Sequence, residues 1–281
     1  MLQEIFQSTT ELQTWLSLKN SDVIFIPTMG GLHQGHQSLI RKAKQANTKR
    51  KSIILLSIFV NPLQFNQDED FKKYPRNLQR DSELAFIAGA DAIWAPSIDD
   101  VFPGGEESHF QIKVPQTLNN QLCGAKRKGH FDGVATVITR FISIIQPKKI
   151  IFGEKDWQQL VIIKSLFKEL NIPVEIQSCP TERDQNGFAY SSRNSYLSNS
   201  ERVNAQSLPN AIKEAKTEFD KGKVINLTKI ASILKENNLK IEYLKIVDPF
   251  SLKETKNLNG LCLLAAAVKC GTTRLIDHTF L

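Results

Sequence analysis

Residues 52–60 (S-I-I-L-L-S-I-F-V) form an unbroken run with no charge, no glycine and no proline. Apolar on both alternating faces and rich in β-branched side chains, such a run suits a strand covered above and below, the condition of a parallel sheet. It is too short to be a membrane span. The surrounding uncharged stretch, 52–66, falls below the ~18 residues a span needs and is interrupted by Asn61, Pro62 and Gln64. A buried parallel strand needs parallel neighbours and crossover helices, and the flanking sequence supplies both.

Residues 23–27 (V-I-F-I-P) read as a second buried strand. The turn Thr28-Met29-Gly30-Gly31 follows, then a helical pattern over about 35–45 with Leu39, Ile40 and Ala43 inward. Helices are expected at 77–88, 133–145 and 156–170, and strands at 91–94, 149–152 and 174–180. This alternation predicts an α/β fold, a Rossmann-like doubly wound parallel sheet. After Ser198 the texture changes. Polar-faced helices at 198–221 and 227–237 precede strand-like segments at 241–247, 261–268 and 273–277. The expectation is a second, smaller α+β C-terminal domain, with domains at 1–180 and 181–281.

Composition excludes several classes. With 281 residues and 41% hydrophobic content the chain can bury a large core, so disorder is ruled out, and the lack of a fixed repeat rules out a solenoid. The first residues lack a signal peptide's basic-then-apolar layout, which points to a cytoplasmic protein. Cys123, Cys179, Cys262 and Cys270 show no C-x-x-C spacing and read as reduced core thiols. There are 36 Lys+Arg against 29 Asp+Glu, a net charge of +7. Arg41, Lys42, Lys44, Lys49, Arg50 and Lys51 read as the solvated end of a helix and its loop. Lys126-Arg127-Lys128 beside Gly129-His130 fits either a solvated cluster or one facing a small anion. Neither cluster carries the interleaved aromatics of a nucleic-acid surface.

The segment Thr28-Met29-Gly30-Gly31-Leu32-His33-Gln34-Gly35-His36 lies where the first buried strand gives way to a helix, at the carboxyl edge of the sheet. Open α/β sheets bind ligands there. The glycines allow a backbone approach to a phosphate, which the helix N-terminus favours electrostatically. His33 and His36, three apart, can present both imidazoles on one side of the first turn. A zinc site would need a third ligand that the neighbourhood does not offer. Far downstream, Ser191-Ser192-Arg193-Asn194 puts two hydroxyls and a guanidinium together, an anion clamp or a solvated turn.

Taken together, H-x-G-H and S-S-R-N resemble the two halves of the nucleotidyltransferase site shared with class I aminoacyl-tRNA synthetases. Three further pieces narrow the resemblance: 57–65 (S-I-F-V-N-P-L-Q-F) with Tyr74-Pro75-Arg76, 129–134 (G-H-F-D-G-V) and 153–159 (G-E-K-D-W-Q-Q). With all five in order, the chain is similar to the pantothenate synthetases, strongly over 23–197 and weakly to its end. It departs from that pattern at Gly31, where Ala is usual, at Lys128, where Pro is common, and at Asn186-Gly187-Phe188, where Asp-Gly-Leu is typical.

The resemblance implies an ATP-dependent condensation of pantoate with β-alanine through a pantoyl adenylate, releasing AMP and pyrophosphate. It implies ATP contacts from Met29, Gly30, Gly31, Leu32, His33, Gln34, Gly35 and His36, with His36 beside the departing phosphate and His33 next to it. Lys155 is implied as a phosphate cation, and Gly153, Glu154 and Asp156 as neighbours of the nucleotide. Tyr190, Ser191, Ser192 and Arg193 match the closing ATP loop, and the Glu182 backbone an adenine contact. Gln64 and Gln159 match the pantoate-binding amides, which can hold hydroxyls and a carboxylate without adding a nucleophile. Asp81 is a candidate Mg²⁺ carboxylate, while Arg127 and His130 fit either pantoate or phosphate. His109 and His278 belong to no motif. A homodimer is expected, with neither membrane nor nucleic acid as partner. Two binding halves on separate domains imply closure on ATP, with Gly187 the candidate hinge. Another enzyme of the same fold, moving AMP onto a phosphate, is the rival reading, and the glutamine pair argues against it. Some relatives carry a fused nucleotide kinase after a similar ending, an arrangement open to this chain too.

Overall fold

The computed structural model describes residues 3–47, 52–66, 71–105, 108–258 and 260–281. Lys49, Arg50 and Lys51 of the first basic cluster lie outside them. The chain divides into two compact units, one of residues 1–115 and 127–180, the other of 116–126 and 181–281.

The first unit runs β1 (Glu4–Phe6), α1 (Thr9–Lys19), β2 (Asp22–Thr28), α2 (Gln34–Ala46), β3 (Ser52–Ile58), α3 (Leu78–Ala88), β4 (Ala92–Trp94) and α4 (Ile98–Val101). After α5 (Gln116–Asn119), which lies in the second unit, it resumes with α6 (His130–Ile145), β5 (Lys149–Gly153), α7 (Trp157–Glu169) and β6 (Glu175–Cys179). The six strands form one sheet in the order β1-β4-β3-β2-β5-β6, and every pairing is parallel. Chain progress goes from β2 out through β3 to β4, then returns to β5 on the other side of β2. The topological switch therefore lies between β2 and β5, and a crevice opens there at the carboxyl ends of open α/β sheets.

Both faces of the sheet are covered, as the run at 52–60 requires. Ile24, Ile26, Ile54, Leu56, Ile93 and Ile151 pack with Leu39, Ile40 and Ala43 of α2 and Ala85 of α3. On the opposite face Phe141 of α6 lies edge-on against Phe25, Phe59 and Trp94, with centroids 5.8, 5.8 and 5.1 Å away.

In the second unit, α8 (Asn199–Ala205), α9 (Ser207–Asp220) and α10 (Leu227–Glu236) precede β7 (Leu239–Val247), β8 (Leu263–Cys270) and β9 (Thr273–Phe280). The three strands form an antiparallel sheet with β8 central. Leu264, Ala266 and Val268 alternate inward against Leu208, Ile212, Ile230 and Leu234. The single helix expected over 198–221 is two. Pro209, in the first turn of α9, has no N–H to offer Ala205, so the ladder breaks between them and Ser207 Oγ donates to the Asn204 carbonyl at 2.7 Å. Residues 116–126, read from sequence within the first domain, lie with the second unit. Leu122 and Cys123 are buried there, with Cys123 Sγ 3.1 Å from Tyr243 Oη and 3.4 Å from an Arg274 nitrogen. All four cysteines are free and buried. No helix among the described residues is long and apolar enough to cross a membrane.

Candidate active site

The switch-point topology explains why distant motifs converge. Residues 29–36 span the loop after β2 and the first turn of α2, 153–159 run from the end of β5 into the start of α7, and the loop after neighbouring β3 carries Asn61 and Gln64. All three leave the same edge of the sheet.

The first loop is a shaped turn. Gly30 and Gly31 have φ of +80° and +61°, left-handed values that glycine adopts without strain. From the sequence these glycines let backbone amides approach a phosphate, and in the structure three of the turn's amides have protein partners. Gly30 N donates to Thr28 Oγ1 at 3.2 Å, Gly31 N to Asp81 Oδ2 at 2.7 Å and Leu32 N to Asp81 Oδ1 at 2.8 Å. The helix start is also capped from within. His33 is the N-cap of α2, and its Nδ1 accepts from Gly35 N at 3.1 Å, while the His36 and Gln37 amides donate to the His33 carbonyl. The glycines thus give the turn its shape, and polar side chains of three residues lie beside it.

Those side chains are the two imidazoles and Lys155. The His33 and His36 rings stack, with centroids 4.0 Å apart and planes at 27°. Because His33 Nδ1 is an acceptor, its proton is assigned to Nε2. His36 Nδ1 is shut off from solvent with no hydrogen-bond partner among the described residues. Burial, His36 and then Lys155 and Arg80 hold the His33 imidazole down to about 2, while burial and Lys155 bring His36 down to about 4 against the opposing Asp156 carboxylate. At neutral pH both rings are uncharged donors and acceptors, and the cation of the cluster is Lys155. Lys155 Nζ lies 3.7 Å from Asp156 Oδ1, and Glu154 is anchored by Ser178 Oγ at 2.7 Å. Gly153 ends β5 and Gln34 is exposed on the first turn of α2.

Gln64 is the buried residue of a 3₁₀ turn, Pro62–Gln64. Its Oε1 accepts from Asn61 Nδ2 at 3.0 Å, and the same Asn61 group donates to the Gly133 carbonyl at 3.0 Å. The Gln64 carbonyl accepts from His130 Nδ1 at 2.8 Å and from an Arg127 nitrogen at 3.3 Å, and Arg127 also meets His130 Nε2 at 2.8 Å. A Cβ at Gly133 would overlap the Leu63 carbonyl. The G-H-F-D-G-V segment therefore braces the Gln64 turn through Arg127 and His130, while Lys126 and Lys128 are exposed. Among the described residues no hydrogen bond reaches the Gln64 amide nitrogen or the amide of half-buried Gln159 on α7. His109, outside every motif, lies tilted at 42° against Phe102, with centroids 4.8 Å apart.

Asp81, the candidate Mg²⁺ carboxylate, is turned inward. Its side chain is 1% exposed and both oxygens hold amides of the glycine turn. No group of three His, Cys, Asp or Glu suited to a metal occurs among the described residues, so these side chains do not form a magnesium cage.

The remaining motif residues lie in the second unit. Tyr190 N donates to the Glu182 carbonyl at 3.1 Å, Ser191 Oγ accepts from Arg193 N at 3.3 Å, and Ser192 opens a 3₁₀ helix, Ser192–Tyr196. Arg183 holds this loop in shape. Its guanidinium forks onto both Asp277 oxygens at 2.8 and 2.6 Å and donates to the Gly187 carbonyl at 2.9 Å. Gly187 has φ of +81°, and its N–H donates to the Asp184 carbonyl at 2.8 Å. Gly187, the expected hinge, thus sits in a hydrogen-bonded turn in this conformation. Sequence reasoning missed Arg183, Asp277, Thr28 and the bracing role of Asn61. Only Asn61 had a local signal, its i, i+3 spacing to Gln64 in N-P-x-Q.

Comparison with known proteins agrees with this geometry. A family model described as pantoate-β-alanine ligase matches residues 4–280. A bifunctional pantoate ligase/cytidylate kinase of Prochlorococcus marinus (strain NATL1A) is 77% identical over 281 residues, which is 100% of this chain and 54% of that protein. The chain thus spans about half the length of the curated relatives it matches. The crystal structure of pantothenate synthetase from Thermus thermophilus is similar with a TM-score of 0.88 and 34% identity, covering 98% of both chains. That of pantoate-β-alanine ligase from Francisella tularensis, complexed with beta-gamma ATP and β-alanine, has a TM-score of 0.83 and 30% identity, covering 99% of this chain and 97% of that one.

Proposed function

The chain belongs to the pantoate–β-alanine ligase family, and on that premise we propose that it condenses pantoate with β-alanine at the expense of ATP. A carboxylate is a poor electrophile. One of its oxygens must first attack the α-phosphorus of ATP, breaking the bond to the β-phosphate so that diphosphate leaves with the electron pair. The β-alanine amine then attacks the acyl carbon, the acyl–oxygen bond breaks, AMP departs and the nitrogen loses a proton. Charge grows on the phosphates in the first step, and preorganised donors are the main catalytic resource.

The observation that carries this reading is the stacked His33–His36 pair under the influence of Lys155, at the switch point of the sheet. Two neutral imidazoles and one ammonium can donate hydrogen bonds to a polyphosphate. The Gln64 and Gln159 amides, unpartnered among the described residues, suit pantoate's hydroxyls and carboxylate. Met29 to Leu32, Gln34, Gly35, Gly153, Glu154 and Asp156 are proposed to line the nucleotide's place. Glu182, Tyr190, Ser191, Ser192 and Arg193 are proposed as the second unit's share of ATP binding, with closure of that unit limiting hydrolysis of the adenylate. Magnesium is proposed to arrive on the phosphates of ATP, as it commonly does, since the described side chains do not cage it. A cytoplasmic homodimer is the assembly the resemblance supports.

The experiment is AMP release, measured with and without each acid and amine substrate. AMP equal to pantothenate when both are present, and background AMP without pantoate, is expected. AMP formed equally well without pantoate would overturn the reading.

A further inference from the structure

We infer that Asp81 is a positioning residue, the brace that fixes the left-handed glycine turn ahead of α2, and not a ligand to magnesium. The inference rests on the proposed ATP-dependent reading for its consequence, but not for its geometry.

Three facts converge. The Asp81 carboxylate accepts from two successive backbone amides, Gly31 N at 2.7 Å and Leu32 N at 2.8 Å, one on each oxygen. It is 1% exposed, so neither oxygen faces the solvent from which a hydrated cation would come. A Cβ at Gly30 would sit 3.0 Å from Asp81 Oδ2, so the turn presses closely on the carboxylate. Its neighbour on α3 completes the bracket: an Arg80 nitrogen lies 3.4 Å from the Leu32 carbonyl and 3.6 Å from Asp81 Oδ1. A buried carboxylate is costly unless its charge is met by donors, and here two amides and one guanidinium meet it.

The consequence concerns His33 and His36. Leu32 immediately precedes the N-cap His33, so holding Gly31 and Leu32 sets where α2 begins and where both imidazoles point. A catalytic constellation must be held within about 0.5 Å to be effective, and loops alone rarely achieve that. Asp81, from a helix packed beside α2, supplies the rigidity. The residue acts on ATP through the turn and touches no phosphate itself.

The test separates a brace from a metal ligand. In the Asp81→Asn protein one amide oxygen can still accept, but the NH2 group faces a backbone N–H. With EDTA and no nucleotide, its melting temperature is expected to fall below that of wild type. ATP binding is expected to weaken about 10- to 100-fold. The Mg²⁺ concentration giving half-maximal pantoate-dependent pyrophosphate exchange is expected to stay where it is. An unchanged melting temperature in EDTA with a raised Mg²⁺ midpoint would overturn the inference. Should the variant not fold, wild-type protein decides. The Gly31 and Leu32 amides of the nucleotide-free chain are expected to be protected from hydrogen exchange and unmoved by MgCl₂, whereas movement of both resonances with Mg²⁺ would overturn the brace. Neither the EDTA melt nor the amide measurement uses pantoate. If wild type showed no pantoate-dependent exchange, the functional reading would fail while the brace was still judged on its own.

Discussion

His36 joins an orphaned, buried Nδ1 to the only stacked imidazole pair in the H-x-G-H turn. Replacing His36 with Ala is expected to lower pantoate-dependent pyrophosphate exchange by about 10²–10³-fold, the usual loss on removing one preorganised donor. Far-ultraviolet circular dichroism should be unchanged, and an unchanged exchange rate would remove His36 from the chemistry. The depressed imidazoles also set a pH dependence. Below about 6.5 the unfolded chain takes up protons that folded His36 refuses until about 4 and His33 until about 2. The unfolded state then binds more protons, so these two groups make stability fall as pH drops from about 6.5 toward 4, with no effect above neutrality. Melting curves across that window are expected to fall less steeply for His36→Ala than for wild type. Gln64 is different in kind, because Asn61 and His130 hold its oxygens and leave the amide nitrogen to a ligand. Gln64→Ala is expected to weaken pantoate by about 1–3 kcal/mol with ATP binding unchanged, measured by separate titrations. Equal losses for both ligands would assign Gln64 to architecture.

At the scale of elements, α6 and the turn before Gln64 meet where only glycine fits. Gly133→Ala forces its methyl into the Leu63 carbonyl. It is expected to cost about 1–3 kcal/mol in urea unfolding and to weaken pantoate along with it. Normal stability in that variant would mean the two elements part freely. The same comparison shows what the sequence could reveal. Long apolar strands declare themselves: residues 23–27 and 52–60 became β2 and β3 with ends shifted by one or two positions. The edge pair β1 and α1 did not, since β1 has three residues with only Phe6 buried and α1 buries only Leu12. The start of α6 was read late because His130-Phe131-Asp132 looks like loop. In fact Gly129, with φ of +78°, turns the chain directly into the helix.

For the molecule as a whole, the motif residues were legible through their resemblance to a family, whereas their supports were not. Asp81 and Gly31 lie fifty positions apart, and Arg183 and Asp277 ninety-four, so no local pattern joins them. Periodicity reports burial along one element, and such braces depend on the topology that places two elements together. That topology also carries the central claim: the loops after β2, β3 and β5 gather at one edge of the sheet, and it is there that we propose a carboxylate is joined to the α-phosphate of ATP. The most direct measurement is isotope transfer from pantoate labelled with ¹⁸O in its carboxylate. Mass spectrometry of the products should find one ¹⁸O in AMP and one in the amide carbonyl of pantothenate, with none in diphosphate. Unlabelled AMP with the label in the diphosphate or in inorganic phosphate would contradict the account.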